Sequence, residues 1–273
     1  MSRPQAPGAL CAFADQLATL PDPRDRRGVR YPQAVLLGTL LVALAGGANN
    51  MAAVAAFTRD HQAWCRQWLP LGASVPTDDT YRLWVRRLDP ETAMKAALRL
   101  LDGTSLPGLA ELVLALDGKA ARRSGDRADG LRPLHMVSAF LVREGLTLAQ
   151  EPCDAKSNEI TAMPRLLDRI HLEGAVVTID AAGCQTAIVQ ALLALVRGHW
   201  GVENGLHRTL DVQFREDDCR LRRGHAPAVM AILRRAALNM VKTFQQQFEP
   251  DVSMGLLRDR IGRQPWILAP ILA

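Results

Sequence analysis

No apolar run in this chain is long enough to cross a bilayer. The longest, Ala34 to Ala48, spans 15 residues and is broken by Gly38, Thr39 and Gly46, short of the roughly 20 that a membrane helix needs. The first residues, MSRPQAPGALCAFADQL, lack both an extended apolar core and a small-residue cleavage site, so a secretory signal is not expected and the cytoplasm is the expected compartment. Cysteine is sparse: five residues, at 11, 65, 153, 184 and 219, with no Cys-x-x-Cys pair. That odd number at those spacings excludes a disulfide framework and a zinc ribbon. Lysine is scarcer still, at positions 95, 119, 156 and 242 only, so the formal net charge of +5 is carried almost wholly by arginine. An arginine excess suits phosphate recognition, although a GC-rich genome enriches arginine and alanine in the same way.

What remains is a globular composition. The 273 residues are 48% hydrophobic and 22% charged, enough to bury a sizeable core in one large domain or two small ones. From Leu10 to about Leu101 the apolar positions recur at helical spacing, in AVLLGTLLVALAG and again in MAAVAAFTRDHQAWCRQWL, with GGANN (Gly46 to Asn50) as the turn between them. Two helices joined by a short glycine-containing turn fit a DNA-reading helix-turn-helix and equally an ordinary helix pair. The proline-bounded segment PDPRDRRGVRYP, Pro21 to Pro32, fits a strand of phosphates or a solvated connector. PTDDT, Pro76 to Thr80, offers N-caps for the helix YRLWVRRL, which LDP ends.

After residue 110 the pattern changes from helical to extended. ELVLALDG reads as a buried strand ending at Asp117, and LHMVSAFLV and GLTLAQEP read as two further strands joined by the turn REG. A Ser or Asn of DAKSNEI caps the helix ITAMPRLLDRI, and AVVTID is another buried strand, ending at Asp180. The fold expected is α+β: a helical N-terminal domain over 10–101, a core over 111–245 in the order strand, strand, strand, helix, strand, helix, and a C-terminal tail over 246–273 in a chain that closes on helices.

The stretch RGHWGVENGLHRTLDVQFREDD, Arg197 to Asp218, places His199, Glu203 and His207 four residues apart, a polar stripe along one helix face, with Gly198, Gly201 and Gly205 among them. Each glycine inside a helix costs roughly 1 kcal/mol relative to alanine, which points to a close neighbour. Two strands ending in Asp117 and Asp180, with Glu203 on the following helix, supply three carboxylates. Oxygen ligands of that kind suit Mg2+ or Mn2+, and such ions at a phosphodiester activate water and stabilise the leaving oxygen. Lys119, Arg122 and Arg123 add cations beside Asp117.

Five stretches together carry a family resemblance: LPDPRDRRGVRYP, LDGKAARRS, DAKSNEI, VVTIDAAGCQ and RGHWGVENGLHRTLDVQFRED. In this order they resemble the DDE transposases of bacterial insertion sequences, in the H-repeat-associated group, over about Leu10 to Leu238. The resemblance implies an RNase H-like core behind a helical H-repeat-associated domain. It also implies divalent-metal-dependent hydrolysis of double-stranded DNA at element ends followed by strand transfer. By matched motif, Asp117, Asp180 and Glu203 are the three carboxylates and metal ligands, with His199 and Trp200 in the signature around the glutamate. Lys119, Arg122, Arg123, Lys156, Arg197, His199, Arg222 and Arg223 are the expected DNA contacts. The expected partners are the insertion-sequence ends and a second protein chain, either a homodimer mate or an intact transposase, with no membrane.

The chain departs from the family in one respect. Asp180 and Glu203 lie only 23 positions apart, where similar transposases carry a longer segment with a helix and a further strand. One continuous helix across those steps would separate the two residues by roughly 35 Å, whereas metal ligands meet within a few ångströms. An in-frame internal deletion near residues 190–196 accounts for the spacing and predicts impaired catalysis, with a DNA-binding or transposase-inhibiting remnant as the alternative. Zinc on His199, Glu203 and His207 is disfavoured, since the two histidines of a straight helix stand about 12 Å apart. The basic run RLRRGH, with Arg234 and Arg235 beyond, fits contact with phosphate or balance of Glu216, Asp217 and Asp218.

Overall fold

The computed structural model describes residues 8–25, 27, 29–100, 113–126, 129–153, 159–168, 170, 176–179 and 202–272. The chain divides into two units, one of residues 1–104 with 223–273 and the other of residues 105–222. Among the described residues no helix is long and apolar enough to cross a membrane.

The first unit is helical. Its helices are α1 (Gly8–Ala18), α2 (Gln33–Ala45), α3 (Met51–Asp60), α4 (Gln62–Cys65), α5 (Asp78–Arg87) and α6 (Pro90–Arg99). Short polar side chains start them: Thr77, in PTDDT, caps α5 as expected, Asn50 accepts the Ala53 N–H at 2.9 Å, and Asp89 accepts from Thr92 at 3.2 Å just ahead of Pro90. One expectation needs correction. The helix read over residues 51–69 breaks at Asp60, and there the His61 ring donates through Nε2 to the Gly262 carbonyl at 2.8 Å. All 13 residues of α2 are buried, as befits a helix apolar on every side. The α2–α3 pair is therefore centred on a core helix, and its exposed positions on α3 include Ala52, Arg59 and Asp60.

The helical core also holds a polar knot. Tyr81 is fully buried, with its hydroxyl 2.7 Å from Thr39 Oγ1 and 2.9 Å from Thr58 Oγ1. Each threonine donates to the carbonyl four residues back, Val35 and Val54 respectively, so the knot is satisfied without water. Burial pushes the Tyr81 phenol up to about 12, so it stays protonated at neutral pH. Tyr81→Phe leaves the threonine bonds to the carbonyls intact and removes one donor. A loss of about 1 kcal/mol is expected, read as a lower urea midpoint with an unchanged slope; an unaltered midpoint would contradict the arrangement.

The C-terminal part belongs to this helical unit. Helix α9 (Ala226–Phe248) packs on α2, α5 and α6, and α10 (Met254–Arg263), capped by Ser253, packs on α9 and α2. The core expected to run to residue 245 thus ends at Arg222, and the expected tail is helical from Met254. Arg234 and Arg235 lie on α9 at 2% and 1% exposure. They are interior residues of the helical unit.

The second unit carries a four-stranded sheet in the order β3-β2-β1-β4, made of β1 (Val113–Ala121), β2 (Leu134–Leu141), β3 (Leu146–Pro152) and β4 (Val176–Ile179). β1, β2 and β3 form an antiparallel meander, and β4 lies parallel to β1. The turn between β2 and β3 uses Gly145 at φ +68°, in the left-handed region that glycine enters freely. Helix α7 (Glu159–Asp168) connects β3 to β4 and packs across the meander. The helices and the mixed sheet make the chain α+β, as the sequence indicates.

Candidate active site

β1 explains why Asp117 is where it is. Leu114, Ala115 and Leu116 are completely buried, the composition of a central strand covered on both faces. The strand does not stop at the aspartate, contrary to expectation. It continues to Ala121, paired with β2 as far as Ala121↔Leu134. Among the described residues the parallel ladder with β4 reaches Leu116↔Ile179. Asp117 therefore stands mid-strand, one residue past the last described pair with β4. Its Oδ1 accepts the N–H of Gly118 at 2.8 Å.

The other wall is helical. A π-helical turn, Glu203–His207, leads into α8 (Arg208–Val212). Such turns recur at functional sites because the extra residue re-aims the side chains around it. His207 Nδ1 lies 3.3 Å from Asp117 Oδ2, both side chains largely buried at 8% and 13% exposure. Four residues on, Asp211 Oδ2 accepts from Lys119 Nζ at 2.8 Å. Four helical residues rise about 6 Å and two strand residues about 6.7 Å, so the two pairs match in repeat and lay the helix along β1. This doubles as a register lock: slipping the helix by one residue breaks both contacts.

A polar row crosses the sheet from Asp117. Ser138 is its partner on β2, and Gln150 is the partner of Ser138 on β3. Ser138 Oγ and Gln150 Oε1 are buried and have no hydrogen-bond partner among the described residues. Buried oxygens of this kind are costly unless something completes them. A largely buried carboxylate in line with orphaned oxygens fits a hard divalent cation, which takes oxygen ligands and retains water. Among the described residues, no three His, Cys, Asp or Glu side chains converge on one point.

The expected site residues fall into three groups. Asp117 is in the site, and Glu203 begins the turn that docks there. Asp180 follows Ile179 directly in sequence and lies, with Lys156, Arg197 and His199, outside the described residues. The expected DNA contacts that are described turn out to be mostly ion-paired. Lys119 is committed to Asp211 at 10% exposure, Arg122 pairs with Asp217 at 3.5 Å and Arg123 with Asp218 at 3.1 Å. Arg222 pairs with Asp126 at 2.9 Å and donates to the Arg123 carbonyl, while Arg223 is exposed. Asp217 and Asp218 of the acidic run thus balance the arginines that follow β1. Asp211 and Ser138 are site residues that sequence patterns did not single out. Asp211 extends the four-residue spacing of 199, 203 and 207 by one more step, which was the available signal; Ser138 carried none, since its register opposite Asp117 depends on the whole meander.

Comparison with known proteins shows the family. The DDE_Tnp_1-associated family model matches residues 14–101, and the model of the Transposase DDE domain matches residues 94–195. The chain is 30% identical over 213 residues to the Escherichia coli (strain K12) protein named "Putative transposase YncI", covering 76% of this chain and 84% of that one. It is 28% identical over 184 residues to the "H repeat-associated putative transposase YbfD" of the same strain, covering 67% of this chain and 72% of that one. A Xanthobacter autotrophicus protein encoded in the dhlA 3′ region is 36% identical over 174 residues, which span 63% of this chain and 59% of the relative. The chain belongs to the DDE transposases, in their H-repeat-associated group. No solved structure matches it.

Proposed function

We propose that this chain is an insertion-sequence transposase that hydrolyses phosphodiesters at the ends of double-stranded DNA and transfers the freed strand, through Asp117, Asp180 and Glu203 on an RNase H-like core. The observation that carries the reading is the docking of the turn that starts at Glu203 onto β1 at Asp117, through His207. The strand order supports it, because a parallel strand added beside the first strand of a meander brings its C-terminal end next to Asp117. Ile179 pairs with Leu116 and His207 touches Asp117. Ile179 and His207 thus adjoin neighbouring residues of one strand, which supports a chain that folds back between them over one that runs on as a continuous helix.

The roles follow from position. Asp117 is oriented by the Gly118 amide and faces the helix. Residue 203 stands one turn before His207 along that helix, and Asp180 succeeds the last paired residue of β4. When bound, Mg2+ or Mn2+ supplies positive charge for the leaving oxygen and lowers the pKa of the attacking water. Relatives with a longer segment before the glutamate have more chain around this centre, so we place the activity of this chain below theirs. The setting is the bacterial cytoplasm, with a second copy or an intact transposase as protein partner.

A second reading, a DNA-binding remnant that inhibits an intact transposase, is favoured by the match to the Transposase DDE domain ending at residue 195, before Glu203. Plasmid nicking in Mn2+ separates the two. The transposase reading expects nicking that Glu203→Gln abolishes; retention of DNA without nicking in either protein would establish the remnant.

A further inference from the structure

The helical unit holds a cavity of about 220 Å3 that no part of the catalytic reading uses. Three arginines line it, Arg24, Arg30 and Arg87, together with Thr80, Tyr31 and Trp84. That volume is roughly seven waters at ~30 Å3 each, which suits a phosphate with part of the sugars it joins.

The charges do not balance within the protein. Arg24 is spent: its Nε and Nη2 grip Asp22 at 2.9 and 2.7 Å, and Nη2 also donates to the Tyr31 carbonyl at 2.8 Å. The Asp22 carboxyl is held below its ordinary value, with burial opposed by the bonds and charge of Arg24. Arg30 and Arg87 are exposed and make no ion pair with any described residue; Arg30 lies over the Tyr31 ring, 5.5 Å from its centroid. One fixed arginine and two unspent ones therefore converge on a small cavity with a hydroxyl beside them, an arrangement that repels itself until an anion enters.

The frame is rigid. The Tyr31 hydroxyl donates to the Val75 carbonyl at 2.8 Å, and Thr80 and Arg87 sit on α5. Pro21, Pro23 and Pro32 restrict the segment that brings in Arg24 and Arg30. Guanidinium groups paired with a hydroxyl are the common donors to nucleic-acid backbones.

We infer that this cavity is a DNA-phosphate site, in which Arg30 and Arg87 clamp one phosphodiester of the duplex on the helical unit. The inference rests on DNA being the substrate of the proposed activity. It does not depend on any residue of the β-sheet unit.

The test is the salt dependence of binding of the full chain to a random-sequence 30-base-pair duplex, without divalent cation. Arg30→Gln/Arg87→Gln is expected to lower the slope of log K against log salt by about 0.9, the value for the one phosphate that the pair neutralises, and to weaken binding on the order of 10- to 100-fold at 0.1 M salt. Arg30→Lys/Arg87→Lys keeps the charges and is expected to keep the wild-type slope. Both variants should melt at the wild-type temperature, because neither side chain has an internal ion-pair partner to lose. A glutamine double variant that binds with wild-type slope and affinity overturns the site. So does thermal protection by inorganic phosphate that the variant loses while its DNA binding is unchanged, and so does a wild-type chain that does not bind duplex. Because the slope is read without metal, an inactive cleavage assay leaves this result standing, and an unchanged slope refutes the site while cleavage stands.

Discussion

Asp117→Asn is expected to reduce Mn2+-dependent nicking by roughly 10³-fold or more. A cation at a phosphodiester contributes several kcal/mol of charge stabilisation, and each 1.36 kcal/mol is tenfold in rate. The substitution keeps the shape of the side chain and its acceptor for Gly118, whose amide lies 2.8 Å from Oδ1. It removes the negative charge that faces His207 at 3.3 Å and that would hold the cation. Folding should be little changed, so the loss must appear in rate with an unaltered melt. Residual nicking within tenfold of wild type, in protein free of contaminating nuclease, would mean that Asp117 is an ordinary strand residue and that the carboxylate reading is wrong.

Gly262→Ala is expected to destabilise the helical unit by about 3 kcal/mol, at the upper end of overpacking costs. Gly262 lies on α10 where that helix meets the end of α2, and an added Cβ would sit 2.5 Å from the Gly46 carbonyl oxygen. The reciprocal Cβ at Gly46 would meet Gly262 Cα at 2.9 Å, so backbone faces backbone and no rotamer relieves the clash. The crossing is bolted on both sides. Arg258 donates to the Leu44 carbonyl at 2.8 Å and to Ala45 at 3.3 Å, and His61 donates to the Gly262 carbonyl. The Arg258 bonds serve carbonyls of the last turn of α2, where Leu44 also accepts the Gly47 N–H at 3.2 Å. Separating the helices to admit a methyl group breaks them as well. For a unit of this size the melting temperature should fall by roughly 6–12 °C; a fall of less than 2 °C would show that the helices part freely and that the crossing is not a fixed element of the core.

Much of the architecture was legible because it depends on local rules. The α2 segment is apolar on every side, Thr77 of PTDDT caps the helix that follows it, and the apolar runs at 113–116, 134–141 and 176–179 became strands. Three features were not legible, each for a physical reason. β1 runs past Asp117 because β2 goes on pairing with it, and pairing length is a property of the partner. Helix α9 joins the N-terminal helices across more than a hundred intervening residues, a long-range choice that periodicity cannot express. The fate of Lys119 depends on Asp211, 92 residues away, so a cation that reads as a phosphate contact is consumed in an internal pair. Glu203 and His207 illustrate the intermediate case. Their four-residue spacing marked a functional helix face, but only the structure assigns His207 to Asp117.

Calorimetric titration of Mn2+ into wild-type protein, Asp117→Asn and Glu203→Gln tests most directly whether the carboxylates meet despite the short spacing between the second and third. Saturable binding in the wild type that both substitutions abolish is the result expected of a docked turn at Asp117. Binding that is absent from all three proteins, or equal in all three, would contradict the assembled site and leave the DNA-binding remnant as the account of this chain.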